Sequence, residues 1–333
     1  MGEGTAVGAG GPLKVGVLGV GVMGSNHARV LSDIAGVQLV GIADPDRKQR
    51  DFVARTLGCA AFVDTEGLLR SGVDAVTIAA PTHLHHDLAL ACISRGVHVM
   101  VEKPIAPTVD EGRAIVAAAR RAGVTLMIGH VERFNPAVEA LKRAIKNQDI
   151  LSIAITRVGP FPPRMSNVGV VIDLAVHDID LIRWFTDSEI VEIQPQLSSA
   201  VAEREDIALL QFRTASGVLA HINTNWLTPF KARNIHIATR DKYLIADLLT
   251  LQVTECFGFQ ADGSYSMRHL SSGYAEPLRA ELLAFVDAIR SRRAPAVTGE
   301  EGVASLEIAI RCLTARAAPS SVVQRKGPRR VAG

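Results

Sequence analysis

The sequence predicts an α/β protein: a doubly wound parallel sheet in the first half, then a second α/β unit whose sheet is mainly antiparallel. Three observations carry this. Short apolar runs alternate with amphipathic segments from Lys14 to His130. A glycine-rich turn follows the first of those runs. Beyond residue 150, strands with hairpin signals succeed one another with few helices between them.

The strands of the first half are KVGVLG (14–19), VQLVGIAD (37–44), DAVTIAA (74–80), VHVMVE (97–102) and TLMIGH (125–130). Segments 46–57, 84–95 and 109–122 between them have helical spacing. Strict alternation of this kind implies a parallel sheet covered on both faces. The second half opens with a helix around 136–147 and the strand LSIAITRVG (151–159). A helical stretch, VVIDLAVHDIDLIRWF (170–185), follows, and then IALLQFRTASGVLAHINTNW (207–226) reads as a hairpin turning at ASG. Helices near 277–292 and 300–316 close the chain. The expected domains are 13–130 and 131–318, with mobile ends at 1–12 and 319–333; the first of these ends is glycine-rich and lacks core residues.

Bulk composition narrows the class. A chain of 333 residues suits two domains, and 48% apolar with 21% charged residues is an ordinary globular balance. The net charge is +2 and the only basic block is QRKGPRR (324–330), so nucleic acid is not an expected partner. The four cysteines (Cys59, Cys92, Cys256, Cys312) match neither a zinc knuckle nor a disulfide framework, which favours a cytoplasmic setting. No run reaches the roughly 18 apolar residues a membrane span needs, and no signal-peptide pattern opens the chain.

The first turn, GVGVMG, fills a G-x-G-x-x-G pattern with Gly19, Gly21 and Gly24. It follows a strand and opens a helix, and Asp44 ends the second strand 20 residues after Gly24. Gly19 permits the tight turn, Gly21 admits a pyrophosphate to the backbone, and Gly24 lets helix and sheet approach; Val22 and Met23 begin the helix whose amides face the phosphates. Asp44 accepts from the adenine ribose hydroxyls and repels a 2'-phosphate, so NAD is expected over NADP. Arg47 is the nearby cation that could pair with such a phosphate.

At VMVEKPIAPT (99–108) a buried strand runs into Glu102 and Lys103, and Pro104 forbids its continuation. Ligands of a doubly wound sheet bind outside the carboxyl ends of its strands. Lys103 lies at such an end, with its backbone restricted by Pro104, and its ammonium can hold a substrate hydroxyl and an alkoxide forming there. In PTHLHHD (81–87), His83, His85 and His86 sit too close together to converge on one ion, so no metal is expected. In the second half Asp173 and His177 are four apart, a spacing that shares one helical face. A neutral imidazole can take a hydroxyl proton, and a nearby carboxylate can orient it. Asp178 and Asp180 are competing carboxylates whose alternative roles are capping or surface charge.

GVGVMGSNHARVL, APTHLHHDLALACISRGVHVMVEKP and GVVIDLAVHDIDLIRWF together resemble the glucose–fructose oxidoreductase, inositol dehydrogenase and MocA family, over about residues 14–316. The resemblance implies a Rossmann domain binding NAD(P) and a C-terminal domain with an open, mainly antiparallel sheet. It implies that Lys103, Asp173 and His177 form the catalytic constellation, all three touching the substrate and Lys103 the cofactor as well. Cofactor contacts are implied at Ala80, Pro81, Thr82, His85 and Glu102; Thr82 departs from the asparagine common there. GHVERFNPAVEALK (129–142) and NWLTPFKAR (225–233) resemble the branch that oxidises the C3 hydroxyl of UDP-N-acetylglucosamine. That branch hands its ketone to a partner aminotransferase, toward lipid A or related envelope sugars. A diphosphate requires cations, and the expected substrate contacts are Arg133, Asn135, Arg157, Arg164, Lys231 and Arg233, with Arg164 first among them. A uronate nucleotide, a free cyclitol such as inositol, or a regulator that lost its chemistry are the rival readings. A homodimer or homotetramer is expected from the open sheet.

Overall fold

A computed structural model describes residues 11–161 and 168–315. Both expected mobile ends fall largely outside the described residues, as does Arg164. The first sheet has six parallel strands: β1 (Leu13–Leu18), β2 (Val37–Ala43), β3 (Ala60–Phe62), β4 (Ala75–Ile78), β5 (His98–Glu102) and β6 (Leu126–Gly129). Their order is β3-β2-β1-β4-β5-β6, so the direction of winding reverses between β1 and β4. That reversal opens the crevice in which such sheets bind ligands. The three-residue edge strand β3, inside the short apolar run CAAFV (59–63), is not among the strands expected from the sequence.

The helices between these strands are bounded by their own sequence. They are α1 (Val22–Ser32), α2 (Arg47–Leu57), α3 (Thr65–Arg70), α4 (His85–Ile93) and α5 (Val109–Ala122). Asp46 caps α2, Asp64 caps α3, and Thr108 with Glu111 forms a capping box on α5. Gly58 and Gly123 end α2 and α5 in the left-handed conformation. Only α1 among these five starts at a residue without a side chain, Gly21, and its first amides have no side-chain cap.

The second unit contains α6 (Pro136–Ala144), β7 (Ile150–Pro160), a wide π-helical turn (Val171–Ala175) running into α7 (Val176–Thr186), and then β8 (Ile190–Ser198), β9 (Ile207–Thr214) and β10 (Leu219–Asn225). It continues through β11 (Leu227–Thr239), β12 (Lys242–Asp247), β13 (Gln252–Phe257), β14 (Ser266–Leu270), α8 (Pro277–Ser291) and α9 (Gly299–Thr314). The eight strands form one sheet ordered β14-β13-β12-β11-β7-β10-β9-β8. All neighbours are antiparallel except β7 and β10. Ile153, Ile155, Ile235, Ile237 and Leu244 pack one face against Leu141 of α6 and Ile179 and Ile182 of α7. The opposite face leaves Leu209, Leu219, Tyr243 and Ile245 exposed.

The two units share more than a boundary. Leu282 and Phe285 of α8, and Val303 and Leu306 of α9, belong to the core under the first sheet. Each such side chain contributes about 1.5–3 kcal/mol by leaving water, so the end of the chain fastens the cofactor domain to the second unit. Among the described residues no helix is long and apolar enough to cross a membrane.

Candidate active site

The glycine turn is shaped by contacts that tolerate no side chain at two positions. Gly19 has a φ of +82°, and a Cβ there would meet the Ala80 backbone at 2.7 Å. A Cβ at Gly24 would overlap the Gly19 carbonyl oxygen. Gly21 differs: nothing lies within 4 Å of where its Cβ would be. The turn is thus closed against the sheet and open toward the crevice, with the uncapped amides of α1 at its rim. Val22 and Met23 are exposed beside it. Such a cradle suits a pyrophosphate.

Asp44, the residue expected at the ribose, is held by two backbone amides: Oδ2 accepts from Val20 N at 2.7 Å and Oδ1 from Asp46 N at 2.8 Å. Arg47 is not part of this arrangement. Its side chain is 87% exposed and reaches Asp51 at 3.5 Å. Arg50 instead approaches Asp44, donating to its carbonyl at 2.8 Å.

Two expected cofactor contacts, His85 and Glu102, have other duties. His85 is buried, its Nδ1 2.9 Å from the Pro104 carbonyl and its Nε2 2.9 Å from that of Ala80. It clamps the loop after β4 to the loop after β5, and burial pushes its pKa down. The Glu102 carboxylate turns inward to His27 Nε2 of α1 at 2.9 Å, and accepts from the Lys103 backbone N–H at 3.2 Å. Burial opposes its charge, yet His27 and Lys103 leave the carboxyl below its ordinary range. Pro81 is exposed, and Thr82 begins a short 3-10 turn on the rim. His83 is exposed and His86 pairs with Asp87 at 2.8 Å, so the three histidines point three ways.

The Lys103 ammonium crosses from the end of β5 to the π-helical turn. Nζ donates to the Asp173 carbonyl at 2.7 Å and to its Oδ1 at 3.2 Å. An ammonium has three donors, so one is left for another acceptor. Sequence spacing pairs Asp173 with His177; the structure pairs Asp173 with Lys103. The wide turn is the cause, because its extra residue takes the 173/177 spacing off an ordinary helical face. That turn is braced by Glu205, which lies where a Cβ at Gly169 would overlap it and accepts from Val171 N at 3.2 Å.

His177 is half-buried, with its Nδ1 enclosed and, among the described residues, without a hydrogen-bond partner. Burial, then the positive charges of Lys103, Arg157 and Arg233, push its pKa well below the ordinary imidazole value. A neutral imidazole beside an ammonium can accept a hydroxyl proton while the ammonium steadies the oxygen it leaves.

The expected phosphate cations divide. Arg157 is 2% exposed and spends its fork on Asp178 (2.8–3.0 Å) and Glu132 (2.7 Å). Arg133 is similarly buried, bidentate on Asp180 at 2.6 and 2.7 Å and reaching Glu301 at 2.7 Å. Neither guanidinium has a face for substrate; both neutralise carboxylates that would otherwise be buried unpaired. Asn135 is likewise internal, capping α6 through Ala137 N and donating to the Leu248 carbonyl at 3.1 Å. Asp178 and Asp180 are accordingly buried ion-pair partners, and neither is surface charge. Arg233 is different. One of its nitrogens holds Glu132 at 3.0 Å while about a third of its side chain remains exposed. Lys231 is exposed in the bulge where β11 breaks register with β7.

Residues 13–130 match the oxidoreductase family with an NAD-binding Rossmann fold, and residues 150–244 match the Gfo/Idh/MocA C-terminal domain. The UDP-N-acetylglucosamine 3-dehydrogenase of Acidithiobacillus ferrooxidans is 31% identical over 94% of this chain and 99% of its own. The chain belongs to the Gfo/Idh/MocA family. The inositol 2-dehydrogenase of Rubrobacter xylanophilus is also 31% identical, over 90% of both chains. A solved structure of the A. ferrooxidans enzyme superposes with a TM-score of 0.85 at 29% identity, covering 90% of this chain and 96% of that one. This Gfo/Idh/MocA protein is an NAD-dependent dehydrogenase, and the open cradle at Gly21 with the uncapped α1 fits the cofactor.

The residues that sequence reasoning missed are His27, His130, Glu132 and Glu205. None belongs to a short motif with a known mechanism. Only the GHVERF run, with ionisable residues directly after an apolar strand, offered a signal.

Proposed function

We propose that this protein oxidises the C3 hydroxyl of UDP-N-acetylglucosamine to the ketone. The observation that carries the chemistry is the contact of Lys103 with Asp173 at the carboxyl edge of the first sheet, with His177 near enough for the ammonium's charge to help depress its pKa. The end-to-end similarity to a UDP-N-acetylglucosamine 3-dehydrogenase supports the substrate. NAD, when bound, accepts the hydride. His177 takes the hydroxyl proton at Nε2, since its Nδ1 is enclosed. Lys103 directs its remaining N–H to the same oxygen, with its aim fixed by the two bonds to Asp173. Arg233 and Lys231 are the cations left for the diphosphate, together with Arg164, which lies outside the described residues. The ketone suits a following aminotransferase, which would convert it to an amine for envelope glycans. A cytoplasmic homodimer or homotetramer remains part of this reading.

A cyclitol substrate is the second reading, favoured by the inositol dehydrogenase at equal identity and by the loss of Arg133 and Arg157 from the phosphate set. A panel of nucleotide sugars and free polyols, assayed for NADH formation, separates the two. UDP-N-acetylglucosamine should far exceed free N-acetylglucosamine, because remote binding energy orients the reacting carbon. Matching rates with free inositol would overturn the nucleotide-sugar reading.

The cofactor preference is testable separately. Asp44 faces the ribose position without a cation beside its carboxylate, so NAD should bind more tightly than NADP. Asp44→Ala should close much of that gap, at some cost in NAD affinity. Titration of both dinucleotides decides it; equal affinities in the wild type would show that Asp44 does not discriminate.

A further inference from the structure

A base histidine is usually held by a hydrogen bond at the nitrogen that does no chemistry. Among the described residues His177 has none: Asp173 is engaged by Lys103, and His177 Nδ1 is enclosed without a partner. The group in place is His130, immediately after β6, whose ring stands edge-to-face with that of His177 at 85° and 6.1 Å between centroids. We propose that His130 is the positioning residue for His177, holding the base by ring contact where a carboxylate would otherwise hold it. This rests on the reading of His177 as the base.

His130 is suited to the task because it is itself immobile. It is 1% exposed, its N–H donates to the Ile128 carbonyl at 2.9 Å, and its own carbonyl accepts from Arg133 N at 3.0 Å. Among the described residues its side chain makes no hydrogen bond that could compete: Nδ1 is buried and unpartnered, 3.9 Å from Asp180. Asp180 in turn is fixed by Arg133 and by the Ser305 hydroxyl at 3.3 Å. The charged groups facing His130 are Asp180 on α7, Arg133 just beyond His130, and Glu102 and Lys103 at the end of β5. Burial keeps the ring neutral, so it offers His177 a surface and no competing charge. An aromatic ring without ring nitrogens should therefore replace it.

The test compares His130→Ala with His130→Phe in the full-length protein. UDP-N-acetylglucosamine and myo-inositol serve as alcohol probes, and the His177 ring is followed by NMR in protein with labelled histidine. His130→Ala should lower kcat about ten- to a hundredfold, the order expected of a misplaced catalytic group, with KM for NAD unchanged. His130→Phe should restore kcat to within about threefold. The His177 ring resonance should broaden or split in the alanine variant and stay single in the phenylalanine variant, a readout that needs no turnover. Unchanged NMR and kcat in His130→Ala would overturn the proposal, as would equal loss in both variants, which would assign the role to the imidazole nitrogens. A loss matched by weakened NAD binding would show a merely structural residue. Full turnover in a parallel His177→Ala would remove the base itself, and with it this proposal.

Discussion

Lys103→Ala is expected to lower kcat by about 10²–10³, the usual cost of removing one donor from a developing oxyanion, with little change in NAD affinity. The ammonium spends two of its three donors on Asp173, which leaves one aimed by geometry instead of by chance. Its loss removes that donor and also frees the Asp173 carboxylate, which then repels a forming alkoxide. Lys103→Arg should not rescue the variant, because a planar fork cannot reproduce a compact ammonium donating to a carbonyl and a carboxylate at once. Folding is not expected to suffer greatly, since the Lys103 and Asp173 side chains are both partly exposed and such pairs contribute little to stability. Steady-state kinetics with an NAD titration separates the two parameters. A kcat within threefold of wild type would show that the alkoxide is steadied elsewhere.

The fold was readable because its signals are local. Alternating apolar runs, caps such as Asp46 and Thr108, and the G-x-G-x-x-G turn each depend on neighbours in sequence. Lys103 was readable for a similar reason: a strand that stops at a lysine before a proline points to a carboxyl edge. What was not readable depended on distant partners. Arg157 looks the same in sequence whether it meets a phosphate or Asp178 and Glu132, and only the fold brings those carboxylates to it. Arg133 is the same case, its partners Asp180 and Glu301 lying 47 and 168 residues away. The Asp173–His177 pairing failed for a local reason. Spacing arguments assume 3.6 residues per turn, and the π-helical turn breaks that assumption where the site is built. His85 shows a further limit, since a histidine next to the cofactor loop was placed by family pattern while its contacts are two backbone carbonyls.

His177→Ala should cost about 10²–10⁴ in kcat, the span attributed to a positioned general base, and should also change the shape of the pH profile. In the wild type, burial and the cations Lys103, Arg157 and Arg233 hold the imidazole pKa well below 6.5. The neutral ring is the active form, so activity is present above its depressed pKa and is lost as pH falls through it. The acid limb of kcat/KM, which reports the free enzyme, should therefore lie below the ordinary imidazole value, with activity at pH 6 close to that at pH 7.5. His177→Ala should remove this limb along with the rate. Weakening the local positive field should move the limb the other way. Arg233→Gln, which leaves the buried Arg157 pairs in place, should raise it toward 6.5. An acid limb at or above 6.5 in the wild type, unmoved in Arg233→Gln, would mean that the titrating base lies outside this buried pocket.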